Sequence, residues 1–145
     1  MSRILATATL ATLLTLSACA APQPAPAPPG ANSALQAYTW TLQSGPTALT
    51  SADQVVVKFD GEGRVGVSGL CNRMGGTYSE TGGQLVVSEM TSTMMACADE
   101  RKMRLEGEVG QGFTGAMSVM MTRSEPPQLN LKLPNGQTWI FRGQR

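Results

Sequence analysis

The feature that most limits the fold is a series of short apolar segments, separated by glycine-rich turns, that runs from residue 35 to the end of the chain. In the first of them, Tyr38, Trp40 and Leu42 alternate with two threonines. A period of two is typical of a strand with one buried face. Eight strands are predicted on this basis, at 38–42, 54–59, 64–69, 75–79, 84–89, 116–122, 128–133 and 137–142.

One segment has helical character instead. Residues 98–106 begin with acidic side chains and continue with basic ones, the order that the helix dipole favours. Leu105, Val109 and Phe113 could continue an apolar stripe, but three glycines between positions 107 and 112 weaken its later turns. The sequence therefore predicts an α+β fold: a compact curled antiparallel β-sheet or barrel of about eight short strands with one packed helix.

The first residues of the chain indicate export. Arg3 precedes an uncharged apolar run at 4–16, which is shorter than the roughly 20 residues that span a bilayer. The run ends in Leu-Ser-Ala-Cys at 16–19, which closely resembles the lipobox of bacterial lipoproteins. The resemblance implies that 1–18 are a lipoprotein signal peptide and that Cys19 carries acyl chains such as palmitate. The alternative is an ordinary secretory leader that is cut near Ala18 or Ala20.

Residues 19–34 are predicted to be the lipidated cysteine and a Pro/Ala-rich tether. The part after Cys19 holds five prolines and no apolar side chain larger than alanine, so it cannot bury a core. Ala20 follows the cysteine, whereas an Asp there tends to retain lipoproteins at the inner membrane of diderm bacteria. By that resemblance we expect an outer-membrane anchor with the domain, residues 35–145, in the periplasm.

The net charge limits the kinds of partner that the chain can bind. The net charge is +1, which gives no basic surface for nucleic acid or for anionic lipid, so the lipid on Cys19 is the expected membrane attachment. The chain has no histidine, which removes the usual general base near neutral pH and the commonest metal ligand. We predict a monomer with no catalytic residue, no metal site and no cofactor.

Two cysteines remain once Cys19 is lipidated. Cys71 and Cys97 are an even pair in an oxidising compartment, where disulfides persist. A bond between them would close a loop of about 26 residues and stabilise the fold by roughly 3 kcal/mol. The alternative is two buried free cysteines that pack as small apolar groups.

Two motifs carry a family resemblance. Residues 67–78 contain Leu-Cys-Asn-Arg before a glycine pair, and residues 90–97 run from methionine and threonine through two methionines to Ala-Cys. Both are similar to motifs of the META domain family, also called HslJ-like, and the resemblance extends over about 36–143. Leu70 stands where the family usually has a glycine, which puts the geometry of that turn in question.

The resemblance implies where the protein acts and under what conditions, but it implies no catalysed reaction. META domains are small mixed α/β folds, often lipoproteins or secreted proteins, associated with heat or envelope stress, antibiotic tolerance and, in some parasites, motility and virulence. No catalytic activity is established for the family. We therefore expect a membrane-anchored META-domain lipoprotein of the bacterial cell envelope that acts as a non-enzymatic, stress-related binding or structural module. Its partner would be an unknown protein or envelope ligand.

Four polar residues near the motifs are candidates for binding. Asn72, Arg73, Thr91 and Thr93 could ring a shallow site for such a partner, while the structural alternative has Asn72 bonding the backbone of its own turn.

Two other functions stay open. One is a periplasmic inhibitor of host hydrolases such as lysozyme. The other is a copper-handling protein, because thioethers select copper(I), although methionine also fills irregular cores. The methionines concerned are Met90, Met94, Met95, Met103, Met117, Met120 and Met121.

Overall fold

The computed structural model of the protein describes residues 33–88 and 90–145. The predicted signal peptide, Cys19 and the tether up to residue 32 lie outside the described residues. The elements, in chain order, are α1 (Ser33–Gln36), β1 (Thr39–Ser44), β2 (Val56–Phe59), β3 (Arg64–Ser68), β4 (Met74–Thr81), β5 (Gln84–Val87), β6 (Thr91–Ser92), α2 (Glu100–Gly112), β7 (Gly115–Met121), β8 (Gln128–Lys132) and β9 (Thr138–Gln144).

Eight of the strands close into an antiparallel barrel. The ring runs β1-β2-β3-β4-β5-β7-β8-β9 and returns from β9 to β1. The two-residue β6 pairs outside this ring with the beginning of β4, at Met74 and Gly75. The predicted fold class is confirmed, with the barrel rather than the open sheet as its form.

The barrel interior is filled by alternate side chains of the strands. β1 contributes Trp40 and Leu42, and β9 contributes Trp139 and Phe141, all of which are buried. Their neighbours along each strand face outward, as the period of two predicts. Burying this apolar area is the main favourable term in the stability of the domain.

Helix α2 closes one end of the barrel and is longer than predicted. It begins after Asp99, whose carboxylate accepts a hydrogen bond from the backbone N–H of Lys102 at 3.1 Å, so the start at residue 98 was wrong by two positions. It continues past 106 because Leu105, Val109 and the C-cap Phe113 are buried against the barrel.

The glycines that counted against the later turns of α2 allow its close approach to the barrel. A Cβ placed on Gly112 would lie 2.4 Å from Cζ2 of Trp139, and one on Gly110 would lie 2.7 Å from Cε of Met74. The packing that these glycines permit outweighs their low helix propensity.

The opposite end of the barrel is covered by α1, which the sequence pattern did not predict. Leu35 is buried there, and its carbonyl accepts a hydrogen bond from the indole Nε1 of Trp40 at 2.9 Å. Gln36 donates to the hydroxyl of Tyr78 at 3.0 Å, and that hydroxyl donates to the carbonyl of Asp60 at 2.8 Å. We call this the α1 end; the chain enters the described domain here.

The other end, the α2 end, collects the longer connections. Because the strands alternate in direction, the links β1–β2, β3–β4, β5–α2 and β8–β9 all lie at this end. Among the described residues, no helix is long and apolar enough to cross a membrane.

Candidate functional site

An exposed loop at the α2 end carries the second sequence motif. We call residues 90–98 the clamped loop. Residues 91–96 are all exposed, and the side chain of Met94 is 98% exposed while that of Met95 is 65% exposed. Apolar side chains are seldom presented to water to this degree on a segment that is otherwise fixed in place.

The predicted disulfide fixes one end of this loop. Cys97 is bonded to Cys71 in the β3–β4 connection, with the two Cα atoms 5.9 Å apart. The prediction of a disulfide is confirmed, and the alternative of two free buried thiols is wrong.

Asn72, the neighbour of Cys71, fixes the middle of the clamped loop. Its Oδ1 accepts hydrogen bonds from the backbone N–H of Met95 at 2.7 Å and from the hydroxyl of Thr93 at 2.9 Å. Its Nδ2 donates to Oε1 of Glu106 at 2.9 Å, and its backbone N–H donates to Oε2 of the same carboxylate at 2.7 Å. Asn72 therefore joins the clamped loop to α2, and its side chain does not bond its own turn.

Of the other three predicted binding residues, two line a cavity beside the clamped loop and one lies outside it. Thr93 and Arg73 line a cavity of about 460 Å³ together with Asn72, Leu70 and Met95. Thr91 lies on β6 outside this lining, where its hydroxyl donates to the carbonyl of Gly75 at 3.0 Å. Three of the four candidate residues are thus brought together.

One cation lines this cavity. Among the described residues, the guanidinium of Arg73 has no hydrogen-bond or ion-pair partner, and the same cavity is lined by the partly buried Leu70 and the exposed Met95. Within residues 33–88 and 90–145, no three His, Cys, Asp or Glu side chains are grouped to hold a metal ion.

A second set of contacts joins α2 to the β1–β2 loop. Arg101 binds Asp53 through two N–O contacts of 2.7 and 3.1 Å and also donates to the carbonyl of Ala48 at 3.0 Å. Glu108 accepts from the hydroxyl of Thr47 at 2.6 Å and from the backbone N–H of Ala48 at 3.2 Å. Burial works to raise the pKa of Glu108, but the hydrogen bonds from Thr47 and Ala48 and the charge of Arg104 together outweigh it and lower that pKa.

Sequence reasoning missed the acids that make these contacts. The sequence pattern singles out none of Asp53, Glu106 and Glu108 as a contact residue. Arg101 and Glu108 are seven positions apart and therefore share one face of α2. That spacing is the one sequence feature that could have indicated a second contact surface beside the apolar stripe.

Replacing Asp53 with asparagine is expected to remove an acid-sensitive part of the stability, about 2 kcal/mol. The Arg101 guanidinium lowers the pKa of the Asp53 carboxyl to about 2, and the side chain is 2% exposed. Because the pKa of Asp53 is lower in the folded protein than in the unfolded chain, ionised Asp53 stabilises the fold. This contribution is complete above the pKa of an unfolded aspartate, about 3.9, and is lost as the pH falls toward the folded pKa. Urea unfolding of wild type and Asp53→Asn should differ at pH 6 and converge near pH 2. A difference that is constant over this range would contradict the assignment.

Comparison with known proteins identifies the family. A sequence model of the META domain matches residues 33–145. No curated protein matches the chain. A protein from Burkholderia xenovorans, solved by NMR, is 22% identical with a TM-score of 0.66, and the match covers 87% of this chain and 96% of that one. A second NMR structure is 22% identical with a TM-score of 0.58 and coverage of 74% and 90%. Both likenesses show the fold, and the match of the family model over the whole described domain shows that this chain belongs to the META domain family.

Proposed function

We propose that this protein is an outer-membrane lipoprotein, anchored through Cys19, whose META domain is a non-enzymatic module that binds a partner protein through the clamped loop. The family is not known as one of enzymes. The observation that carries the proposal is Met94, which is 98% exposed on a loop held by a disulfide and by Asn72. A loop that is already ordered loses little conformational entropy on binding, so its apolar side chains contribute more of their burial to affinity.

The side chains around the clamped loop indicate the kind of partner. Methionine is unbranched and polarisable and adapts to irregular apolar surfaces. Arg73 lines the same cavity as Met95 and Leu70, and its guanidinium can bind a carboxylate in a bidentate way. These features support a protein partner that offers an apolar side chain beside an acidic one.

The position of the loop fits a tethered module. The chain enters the described domain at the α1 end, and the clamped loop lies at the α2 end. A proline-rich tether extends by about 3.1 Å per residue. A domain attached to a lipid on Cys19 in this way would present the clamped loop on the side opposite its attachment.

Substitution of Cys19 by alanine is expected to move the protein from the membrane fraction to the soluble periplasmic fraction. The acyl chains are the attachment in this proposal, and two or three acyl chains are needed to hold a protein stably on a bilayer. Fractionation and immunoblotting measure the distribution, and intact-mass analysis of the wild type shows whether Cys19 is acylated. A variant whose intact mass shows that the signal peptide has been removed, and that still remains in the membrane pellet, would contradict lipid anchoring.

Replacing Met94 and Met95 together with serine is expected to weaken partner binding by tenfold or more, on the order of what a central apolar contact contributes. A photo-crosslinker at position 94 should capture the partner in cells for identification by mass spectrometry. Met120 is also exposed, at 68%, and lies on β7 toward the α1 end, outside the clamped loop, so Met120→Ser is the matched control. Equal loss of binding in both variants, or crosslinks at position 120 as strong as those at 94, would contradict the proposed surface.

Two inexpensive assays distinguish this proposal from the other functions considered. Inhibition of lysozyme by the purified domain would support a hydrolase inhibitor. Copper(I) binding tighter than micromolar would support copper handling, for which Met94, Met95, Met103 and Met120 are the exposed thioethers and Met117 is buried in the core.

A further inference from the structure

A second cavity at the α2 end has no assigned role. Its volume is about 450 Å³, within the size range of small-molecule sites. It lies between the β1–β2 loop, the last turn of α2 and the β8–β9 turn, and it shares no lining residue with the cavity beside the clamped loop.

Carboxamides dominate the polar lining of this cavity. Gln111 comes from α2, while Asn135 and Gln137 come from the β8–β9 turn. Asn135 is already oriented, because its Nδ2 donates to Oε1 of Gln137 at 3.1 Å and its Oδ1 accepts from the backbone N–H of Gln137 at 3.0 Å. Among the described residues, the amide of Gln111 has no hydrogen-bond partner. The lining thus offers the amide of Gln111 and the Nε2 donor of Gln137 to a ligand, beside an Asn135 that is already oriented.

The charges of the lining limit the ligand. Glu108 is the charged residue in the lining, and its carboxyl is ionised at neutral pH, as an ordinary glutamate is. No lysine or arginine lines the cavity. An anionic ligand would therefore be repelled, whereas a hydroxyl group can donate to the carboxylate.

An aromatic residue lies directly behind the lining. Trp139 packs under Gly112, which lines the cavity, and under Gly45, which precedes the lining residue Pro46. The indole Nε1 of Trp139 is buried, and no acceptor for it is present in the described part of the chain. Trp139 itself does not line the cavity, but a ligand there would change the surroundings of the indole through the backbone that covers it.

We infer that this cavity binds a neutral saccharide that carries acetamido groups. Each acetamido group has one donor and one acceptor, which match the donor and acceptor of a glutamine side chain. The sugar hydroxyls suit the Glu108 carboxylate and the Thr47 hydroxyl, both of which line the cavity. The inference goes beyond the proposed function and does not depend on the clamped loop.

Titration of the ¹⁵N-labelled domain with chitotriose, the trimer of N-acetylglucosamine, tests the inference. The described domain has two tryptophans, and the indole N–H of Trp40 is bonded to Leu35, so the two side-chain cross-peaks have different environments. Chitotriose should shift the cross-peaks of Trp139 and of the Gln111 and Gln137 side chains and leave that of Trp40 in place. Maltotriose, which has the hydroxyls without the acetamido groups, should bind at least several-fold more weakly.

Two substitutions make the result specific. Gln111→Ala and Gln137→Ala should each weaken chitotriose binding by up to about tenfold, the equivalent of one lost hydrogen bond. Gln84→Ala, which changes an exposed glutamine at the α1 end, should have no effect. No shift of Trp139 at millimolar chitotriose, or shifts that persist unchanged in both variants, would overturn the inference. Tighter binding of the cationic glucosamine trimer would overturn the acetamido assignment, because the charge of Glu108 would then be the determinant.

Discussion

Replacing Cys71 and Cys97 together with serine is expected to lower the free energy of unfolding by about 3 kcal/mol. The disulfide joins positions 26 residues apart, and removing it restores to the unfolded chain the freedom of that closed loop. Both cysteines are only partly buried, so serine should fit at either position without a large desolvation cost. Urea unfolding of the double variant and of wild type, monitored by tryptophan fluorescence, measures the difference.

The same bond holds the clamped loop, which gives the variant a second measurable effect. Without it, residues 90–98 keep the pairing of β6 with β4, the Asn72 hydrogen bonds and the bonds between Thr93 and the backbone of Arg73. Limited proteolysis should then cut this segment faster than any turn at the α1 end. Reductant should destabilise wild type by a similar amount and leave the double variant unchanged. Two alkylatable thiols in the native protein, or equal unfolding midpoints, would contradict this account.

The barrel could be predicted because its strands have strict alternation and clear turns. Trp40 and Leu42 in β1, and Trp139 and Phe141 in β9, follow the period of two, and Asn135-Gly136 separates β8 from β9. Closure could not be predicted, because it depends on which edge strands meet. Here β3 pairs with β4 and β9 pairs with β1, and no local pattern encodes the latter pairing.

The errors lie where tertiary contacts outweigh local preference. Gly110 and Gly112 have a low helix propensity. They nevertheless let α2 pack close to Met74 and Trp139, where a side chain would collide, and this packing keeps both residues in the helix. α1 is a single turn whose reason to form is the burial of Leu35 at the end of the barrel. β6 is two residues long and is fixed by its pairing with β4.

The site was predicted in part. The pairing of Cys71 with Cys97 could be predicted from the number of cysteines and from the predicted oxidising compartment. The motif at residues 67–78 indicated the neighbourhood of Asn72. The partners of Asn72 could not be predicted, because Met95 is 23 positions away and Glu106 is 34 positions away in the sequence. The role of Asn72 is therefore seen only in the folded structure, where it links the β3–β4 connection, the clamped loop and α2.

Replacing Asn72 with alanine is expected to lower the free energy of unfolding by about 2–4 kcal/mol. The side chain is 8% exposed, and its loss leaves the N–H of Met95 and the hydroxyl of Thr93 without their acceptor. It also removes one of the three donors to the partly buried Glu106 carboxylate, which keeps the backbone N–H of Asn72 and the more distant hydroxyl of Ser92. Each unsatisfied group adds its own desolvation cost to the loss of the bond.

A double-mutant cycle separates this network from simple loss of packing. Asn72→Ala and Glu106→Ala should be non-additive by about 1 kcal/mol or more, because each removes a partner of the other. Asn130→Ala is the matched control: it breaks one partly buried bond, from Gln128 at 3.0 Å, and should cost about 0.5–1 kcal/mol. Amide exchange at Met95 should accelerate in Asn72→Ala and stay at the wild-type rate in the control. Additive effects in the cycle, with unchanged exchange at Met95, would show that the clamped loop is held without Asn72, by the disulfide and by the pairing of β6 with β4.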